Sequence, residues 1–209
     1  MMRTITISFS GLNGTGKSTI IDMLEKHLQQ KTSVTKVSLY HYGITQNKIM
    51  LRTAKYVKQN GLTNCTPRQY NMLMASMGIV LSYEAQAIPA MEEYRVILFD
   101  RYIDTFLFDF AGYEPVEKML KTLPECDISF FLYCDVETAM KRVNARGREM
   151  CPDIEQFAYR CKAYFDDVLS KENEYTVINS ARDVDEVFRD VADCVDRFMA
   201  TLEEENLEK

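Results

Sequence analysis

Apolar residues recur along this chain in two rhythms, and the two rhythms take turns. Residues 4–9 (TITISF) alternate apolar and polar positions, which predicts a strand. Over residues 17–30 the apolar positions Ile20, Ile21, Leu24 and Leu28 return every three or four residues, one face of a helix. Residues 33–40, containing VTKVSLY, predict a second strand, and residues 45–59 read as a weaker helix. Thr66-Pro67 marks a helix start, a capping side chain followed by proline at the first helical position, and a long methionine-rich helix follows to about residue 92. RVILF at 95–99 and ISFFLYC at 128–134 are short continuous apolar runs, the pattern of strands buried on both faces. A helix is expected over 136–145, then another carrying Ile154, Phe157, Cys161, Phe165 and Val168. A strand at 175–178 leads to a closing helix with Val184, Val187, Phe188, Val191, Val195 and Phe198. Strands alternating with helices predict an α/β domain built on a five-stranded parallel, doubly wound sheet flanked by helices. The acidic end EEENLEK reads as a frayed helix terminus.

Composition narrows the picture little. The 209 residues fit a single domain over 1–209, and 46% hydrophobic with 27% charged residues is ordinary for a soluble protein. A net charge of −6 excludes a general nucleic-acid binder, so any anion must be held by a local cluster of donors. No apolar run approaches the roughly 20 residues of a membrane span, and the first residues lack a signal-peptide core. A cytoplasmic location is expected. The six cysteines form no C-x-x-C pair and the two histidines lie far apart, which argues against zinc and for reduced thiols serving as small hydrophobes.

The chemistry is announced by FSGLNGTGKST at 9–19. Gly11 to Ser18 matches G-x-x-x-x-G-K-[ST] and stands between a predicted strand and an amphipathic helix, the context a phosphate loop requires. Its glycines let successive N–H groups turn toward phosphate oxygens, the helix N-terminus adds positive potential, and Lys17 brings a mobile charge. Gly11, Asn13, Gly14, Thr15, Gly16, Lys17, Ser18 and Thr19 are therefore the expected nucleotide-binding residues, with the Ser18 hydroxyl on Mg²⁺. The same spelling occurs in the ATPase subunits of ABC transporters. Those carry an L-S-G-G-Q signature and a buried strand ending in Asp-Glu, and neither is present here; the third strand ends ILFDRY.

Asp100 closes that buried strand, where open α/β sheets place their chemistry, and a carboxylate there suits a Mg²⁺ shell. Arg101 offers a bidentate fork for phosphate. Downstream, AMKRVNARGRE carries Arg142, Arg146 and Arg148. Arg142 and Arg146 share a helix face, and Gly147 loosens the backbone, as a closing lid over about 142–153 needs.

Together these residues resemble the thymidylate kinase family of nucleoside monophosphate kinases. The resemblance runs through the phosphate loop, IPAMEEYRVILFDRYIDT, LYCDVETAMKRVNARGRE and VINSARDVDEV. It implies a P-loop NTPase fold with a short arginine-bearing lid, ATP–Mg²⁺ as donor, a nucleoside monophosphate (dTMP by default) as acceptor, and commonly a homodimer. By motif, Lys17 and Ser18 would bind donor phosphates and Mg²⁺. Asp100 would assist the metal, Arg101 would grip the acceptor phosphate, and Arg146 and Arg148 would be lid arginines acting with Arg142. Residues 179–182 would lie near the donor adenine.

The acceptor half departs from the family. Asn13 and Ser10 stand where acids are usual, and Tyr40-His41-Tyr42-Gly43 replaces R-E-P-G-G. No arginine lies between Arg68 and Arg95 to read the base, and Asp109-Phe110 replaces a Tyr-Gln pair. Altered or relaxed acceptor specificity is the expectation. Tyr70, Phe106, Phe108, Phe110, Tyr113, Gln69 and Gln86 are candidate replacements, with core packing the first explanation for each. Two alternatives stay open: a kinase for a hydroxyl acceptor, with Asp100 or more weakly Asp104 as base, and a non-catalytic nucleotide-binding regulator.

Overall fold

The computed structural model describes residues 3–39, 66–109, 113–145, 154–169 and 174–207, together with Lys55, Gln59 and Gly61. Most of the weak helix expected over 45–59, the Tyr40–Gly43 segment and most of the lid therefore fall outside the described residues, Lys55 and Gln59 being helical. Five strands, β1 (Ile5–Ser10), β2 (Val34–Val37), β3 (Val96–Asp100), β4 (Ile128–Tyr133) and β5 (Thr176–Asn179), form one parallel sheet in the order β2-β3-β1-β4-β5. The helices are α1 (Lys17–Leu28), α2 (Pro67–Ser82), α3 (Ile88–Glu93), α4 (Ile103–Asp109), α5 (Glu114–Leu120), α6 (Val136–Asn144), α7 (Ile154–Leu169) and α8 (Val184–Leu207).

The chain divides into two compact units, one of Met1–Ser8 with Thr35–Asp127, the other of Phe9–Val34 with Ile128–Lys209. In the first, Tyr83, Phe99 and Tyr102 form the centre of the core, the Phe99 and Tyr102 rings 4.6 Å apart, with Ile97, Phe106 and Leu120 buried around them. The Tyr102 hydroxyl donates to the Pro124 carbonyl at 2.7 Å, which satisfies the polar end of a buried ring. In the second, α1 buries Ile20, Ile21, Leu24 and Leu28, the face its periodicity picks out, and α8 buries Val187, Val191 and Val195. Burying each such side chain contributes about 1.5–3 kcal/mol. The two helices are also joined at their surface. Lys31 donates to both Asp196 carboxylate oxygens at 2.9 and 2.8 Å, and the His27 imidazole lies 3.0 Å from Oδ2.

Two elements differ from the pattern reading. β1 alternates in sequence, which by itself reads as half-buried, yet Ser8 and Ser10 are as buried as Ile7 and Phe9 because β1 is central in the sheet. Thr6, partly buried in the same strand, is tied to Asp127: its N–H and its hydroxyl both donate to Asp127 Oδ2, at 2.8 and 3.0 Å. The long methionine-rich helix is interrupted by a π-helical segment, Tyr83–Ala87. Pro89 is the cause. It lacks an N–H, and its ring would strike the carbonyl of Ala85 in a regular helix, so the turn widens and the Ile88 N–H reaches back to Tyr83. The short helices α4 and α5 leave no periodic signal in the sequence.

Candidate active site

The glycine loop leaves the carboxyl end of β1, and its shape depends on residues without Cβ atoms. Gly11 has φ 130° and Gly14 φ 86°, backbone regions that other residues rarely adopt. A Cβ on Gly11 would lie 2.2 Å from the Leu132 carbonyl oxygen, and one on Gly14 would lie 2.4 Å from that of Ala139. The loop is thus pressed against both β4 and α6, and at those positions only glycine fits.

Inside the curl, the Leu12 carbonyl is the common acceptor. Lys17 Nζ donates to it at 2.7 Å and Thr15 Oγ1 at 2.8 Å. Lys17 and Thr15 are both buried, and Asn13 is half-buried. Ser18 and Thr19 are exposed in the first turn of α1. The N-cap of α1 is Gly16, in the left-handed conformation and without a side-chain cap. This contrasts with α2, where Thr66 and Gln69 form a reciprocal capping box, and with α6, where Asp135 caps the Thr138 N–H at 2.7 Å. A helix start with no side-chain cap, preceded by a glycine nest, is built to receive an anion on its backbone N–H groups.

Arg142, near the end of α6, joins this loop to the segment after β5. Its Nη1 donates to the Gly14 carbonyl at 3.4 Å and its Nη2 to the Ser180 carbonyl at 3.0 Å. The Cys134 thiol lies 4.0 Å from the same Gly14 carbonyl. Burial pushes the Cys134 thiol above its ordinary value, outweighing the nearby Arg142 charge, so it remains a thiol rather than a thiolate.

Beside the loop opens a cleft of about 440 Å³. Leu12 and Thr15 line its phosphate-loop side, Phe131 and Tyr133 belong to β4, and Asn179 and Ala181 to the β5–α8 loop. Phe165 of α7 packs against Tyr133 with ring centroids 4.8 Å apart. A cleft with aromatic walls and a few polar groups at its margin suits a heterocycle attached to a charged group. The resemblance points to residues 179–182 as the segment near the donor base, whereas the cleft itself and the bonds that hold Ser180 are visible only in the structure.

Asp100 ends β3 and Arg101 follows it directly, both half-buried. Arg101 has φ 72°, the one non-glycine residue with positive φ among those described. Such a backbone persists where the surrounding structure imposes it, and it concentrates at functional positions. Arg146 and Arg148 lie outside the described residues. Of the candidate acceptor readers, Gln69 accepts from the Thr66 N–H and hydroxyl in the capping box, and Gln86 donates to Ser82 Oγ at 2.6 Å. Phe106 and Tyr70 are buried, with Phe106 in the core beside Tyr102. Tyr113 packs against the same core, and Phe110 lies outside the described residues.

Comparison with known proteins converges on one family. The family model described as "Thymidylate kinase" matches residues 9–191. A thymidylate kinase of Thermoanaerobacter sp. (strain X514) is 25% identical over 209 residues, covering 92% of this chain and 98% of the relative. A probable thymidylate kinase of Pyrobaculum calidifontis is 26% identical over 202 residues, covering 94% and 98%. Among solved structures, a thymidylate kinase of Ehrlichia chaffeensis shares the fold with TM-score 0.62 at 16% identity, covering 93% of this chain and 99% of that one.

Proposed function

Because the chain belongs to the thymidylate kinase family, we propose that it transfers the terminal phosphoryl group of ATP to a nucleoside monophosphate, with dTMP the first acceptor to test. The observation that carries this reading is the phosphate loop, whose glycines at 11 and 14 are enforced by carbonyls of β4 and α6 and whose lysine is folded inside it. An oxygen of the acceptor phosphate attacks the terminal phosphorus of ATP, the bond to the bridging oxygen breaks, and ADP leaves. The attacking oxygen already carries negative charge, so positioning and charge neutralisation suffice without a general base.

Each residue then has a task. Backbone N–H groups from Gly11 to Thr19, including Asn13, Gly14, Thr15 and Gly16, hold the donor phosphates, and Lys17 follows the terminal ones. The exposed hydroxyl of Ser18 and the carboxylate of Asp100 are hard oxygen donors of the kind Mg²⁺ takes. When bound, the ion would neutralise donor phosphate charge. Arg101 grips the acceptor phosphate, Arg146 and Arg148 meet the transferring group, and Arg142 braces the donor side. In this reading residues 1–209 act as one kinase domain with a lid over about 142–153, working in the cytoplasm as a homodimer. The exposed apolar side chains Met77, Leu81 and Ile88 on α2 and α3 support that last point. Among the described residues no helix is long and apolar enough to cross a membrane.

The test is incubation with ATP, Mg²⁺ and a panel of monophosphates, followed by anion-exchange chromatography. Diphosphate and ADP are expected in equal amounts. The missing base-reading arginine and the Asn13 and Ser10 substitutions predict that more than one base is accepted. No diphosphate from any monophosphate would sink the reading, and a monophosphate formed from a bare nucleoside would replace it with a hydroxyl-acceptor kinase.

A further inference from the structure

Ser180 is the first residue after β5, and three of its polar groups are engaged at once. Its N–H and its Oγ both donate to the Tyr133 carbonyl, each at 2.8 Å, and its own carbonyl accepts from Arg142 Nη2 at 3.0 Å. It is 4% exposed, whereas Ala181, Arg182, Asp183 and Val184 beyond it are all exposed. Tyr133 ends β4 and is the register partner of Asn179, so Ser180 extends the β4–β5 pairing by one step past the strand, using a side chain as well as the backbone. Asn179 and Ala181, on either side of Ser180, line the cleft beside the phosphate loop. A second local bond stiffens the same turn, since the Ala181 N–H donates to Asn179 Oδ1 at 3.0 Å.

We propose that Ser180 is a positioning residue of the donor site: by pinning the 179–182 loop to the end of β4, it sets the cleft wall against which the base-and-ribose end of the donor rests. The inference rests on the donor reading above and deepens it. The triphosphate end is held separately, by the glycine loop and Lys17. An alanine at 180 keeps the backbone bond to Tyr133 but removes the hydroxyl donor. The loop is then held by one bond fewer, and the second lone pair of a carbonyl that had two donors loses its partner.

The test compares ATP with inorganic tripolyphosphate, which carries the phosphates but no base or ribose. Each is titrated in Mg²⁺ buffer onto the full chain, wild type and Ser180→Ala, with urea melts to confirm folding. Ser180→Ala is expected to weaken ATP about fivefold while tripolyphosphate stays within about twofold. Should Ser180→Ala not fold, Ser180→Cys, of similar volume and with a much weaker donor, carries the same comparison. Unchanged ATP affinity overturns the role of Ser180 alone. Equal weakening of both ligands overturns it too, because Ser180 would then act on the phosphate loop. A wild-type chain that binds neither ligand removes the donor reading itself.

Discussion

At position 101 the backbone adopts a conformation that costs an L-residue with a Cβ about 1–2 kcal/mol relative to an ordinary φ. An arginine is kept there although glycine would fit more easily, which is the pattern of a residue held for its side chain. Arg101→Gly should therefore unfold at higher urea than Arg101→Ala, by about 1 kcal/mol, because both lack the guanidinium and only glycine relieves the φ. Both should lose turnover, by about 100-fold or more if the fork grips phosphate in the transition state. Equal urea midpoints for the two variants would remove the strain from this account. Gly14 supplies the complementary case. Its added Cβ would meet the Ala139 carbonyl oxygen at 2.4 Å, so Gly14→Ala should cost about tenfold or more in ATP affinity by displacing the loop. Lys17→Ala removes the charge and one donor to the Leu12 carbonyl, which Thr15 still holds, and should instead reduce turnover strongly while the urea midpoint is largely kept. Ser180, by contrast, matters through one carbonyl 47 positions away in sequence, and no spacing rule points to it.

At the scale of elements, period and caps explain most of what formed. The Thr66–Gln69 capping box fixes where α2 begins, and Thr66→Ala should cost about 1 kcal/mol in a urea titration. The surface clamp between α1 and α8 has a pH signature. Burial works against the charge of Asp196, but hydrogen bonds from Lys31 and His27 prevail and hold its carboxyl below the ordinary value. A lowered carboxylate contributes stability above the unfolded value of about 3.9 and loses it as pH falls through the lower folded value. Asp196→Asn should then be less stable by about 0.5 kcal/mol at pH 7, the pair being partly exposed and screened, with the gap closing toward acid. A gap that persists at low pH would mean that packing, not charge, is what asparagine disturbs. The elements that escaped the pattern did so for local reasons. α4 and α5 span seven residues each, too short for a helical period to declare itself. The π segment keeps the apolar rhythm of its neighbours, so only the geometric demand of Pro89 betrays it.

For the molecule as a whole, nucleotide binding to the folded state must raise stability by mass action. With ATP at about 100 times its dissociation constant, the rise should be about 2.7 kcal/mol, read as a shift of the urea midpoint with and without nucleotide. No shift at saturating ATP and Mg²⁺ would contradict donor binding outright. The alternation of strand and helix, the buried character of β3 and β4, and the phosphate loop are all legible in the sequence. Each is written in contiguous residues, where period and spacing translate directly into geometry. The relations that complete the site are of another kind. Gly11 against Leu132, Gly14 against Ala139, Arg142 between Gly14 and Ser180, and the cleft walled by the phosphate loop, β4 and the β5–α8 loop join residues far apart along the chain. Strand order and register bring them together, and a linear sequence of types carries no distance between such positions. Fold class and the phosphate loop are thus written in the order of residue types along the chain. The tertiary structure alone decided which carbonyls shape the loop, which side chain holds the cleft wall, and which backbone is kept out of its preferred conformation.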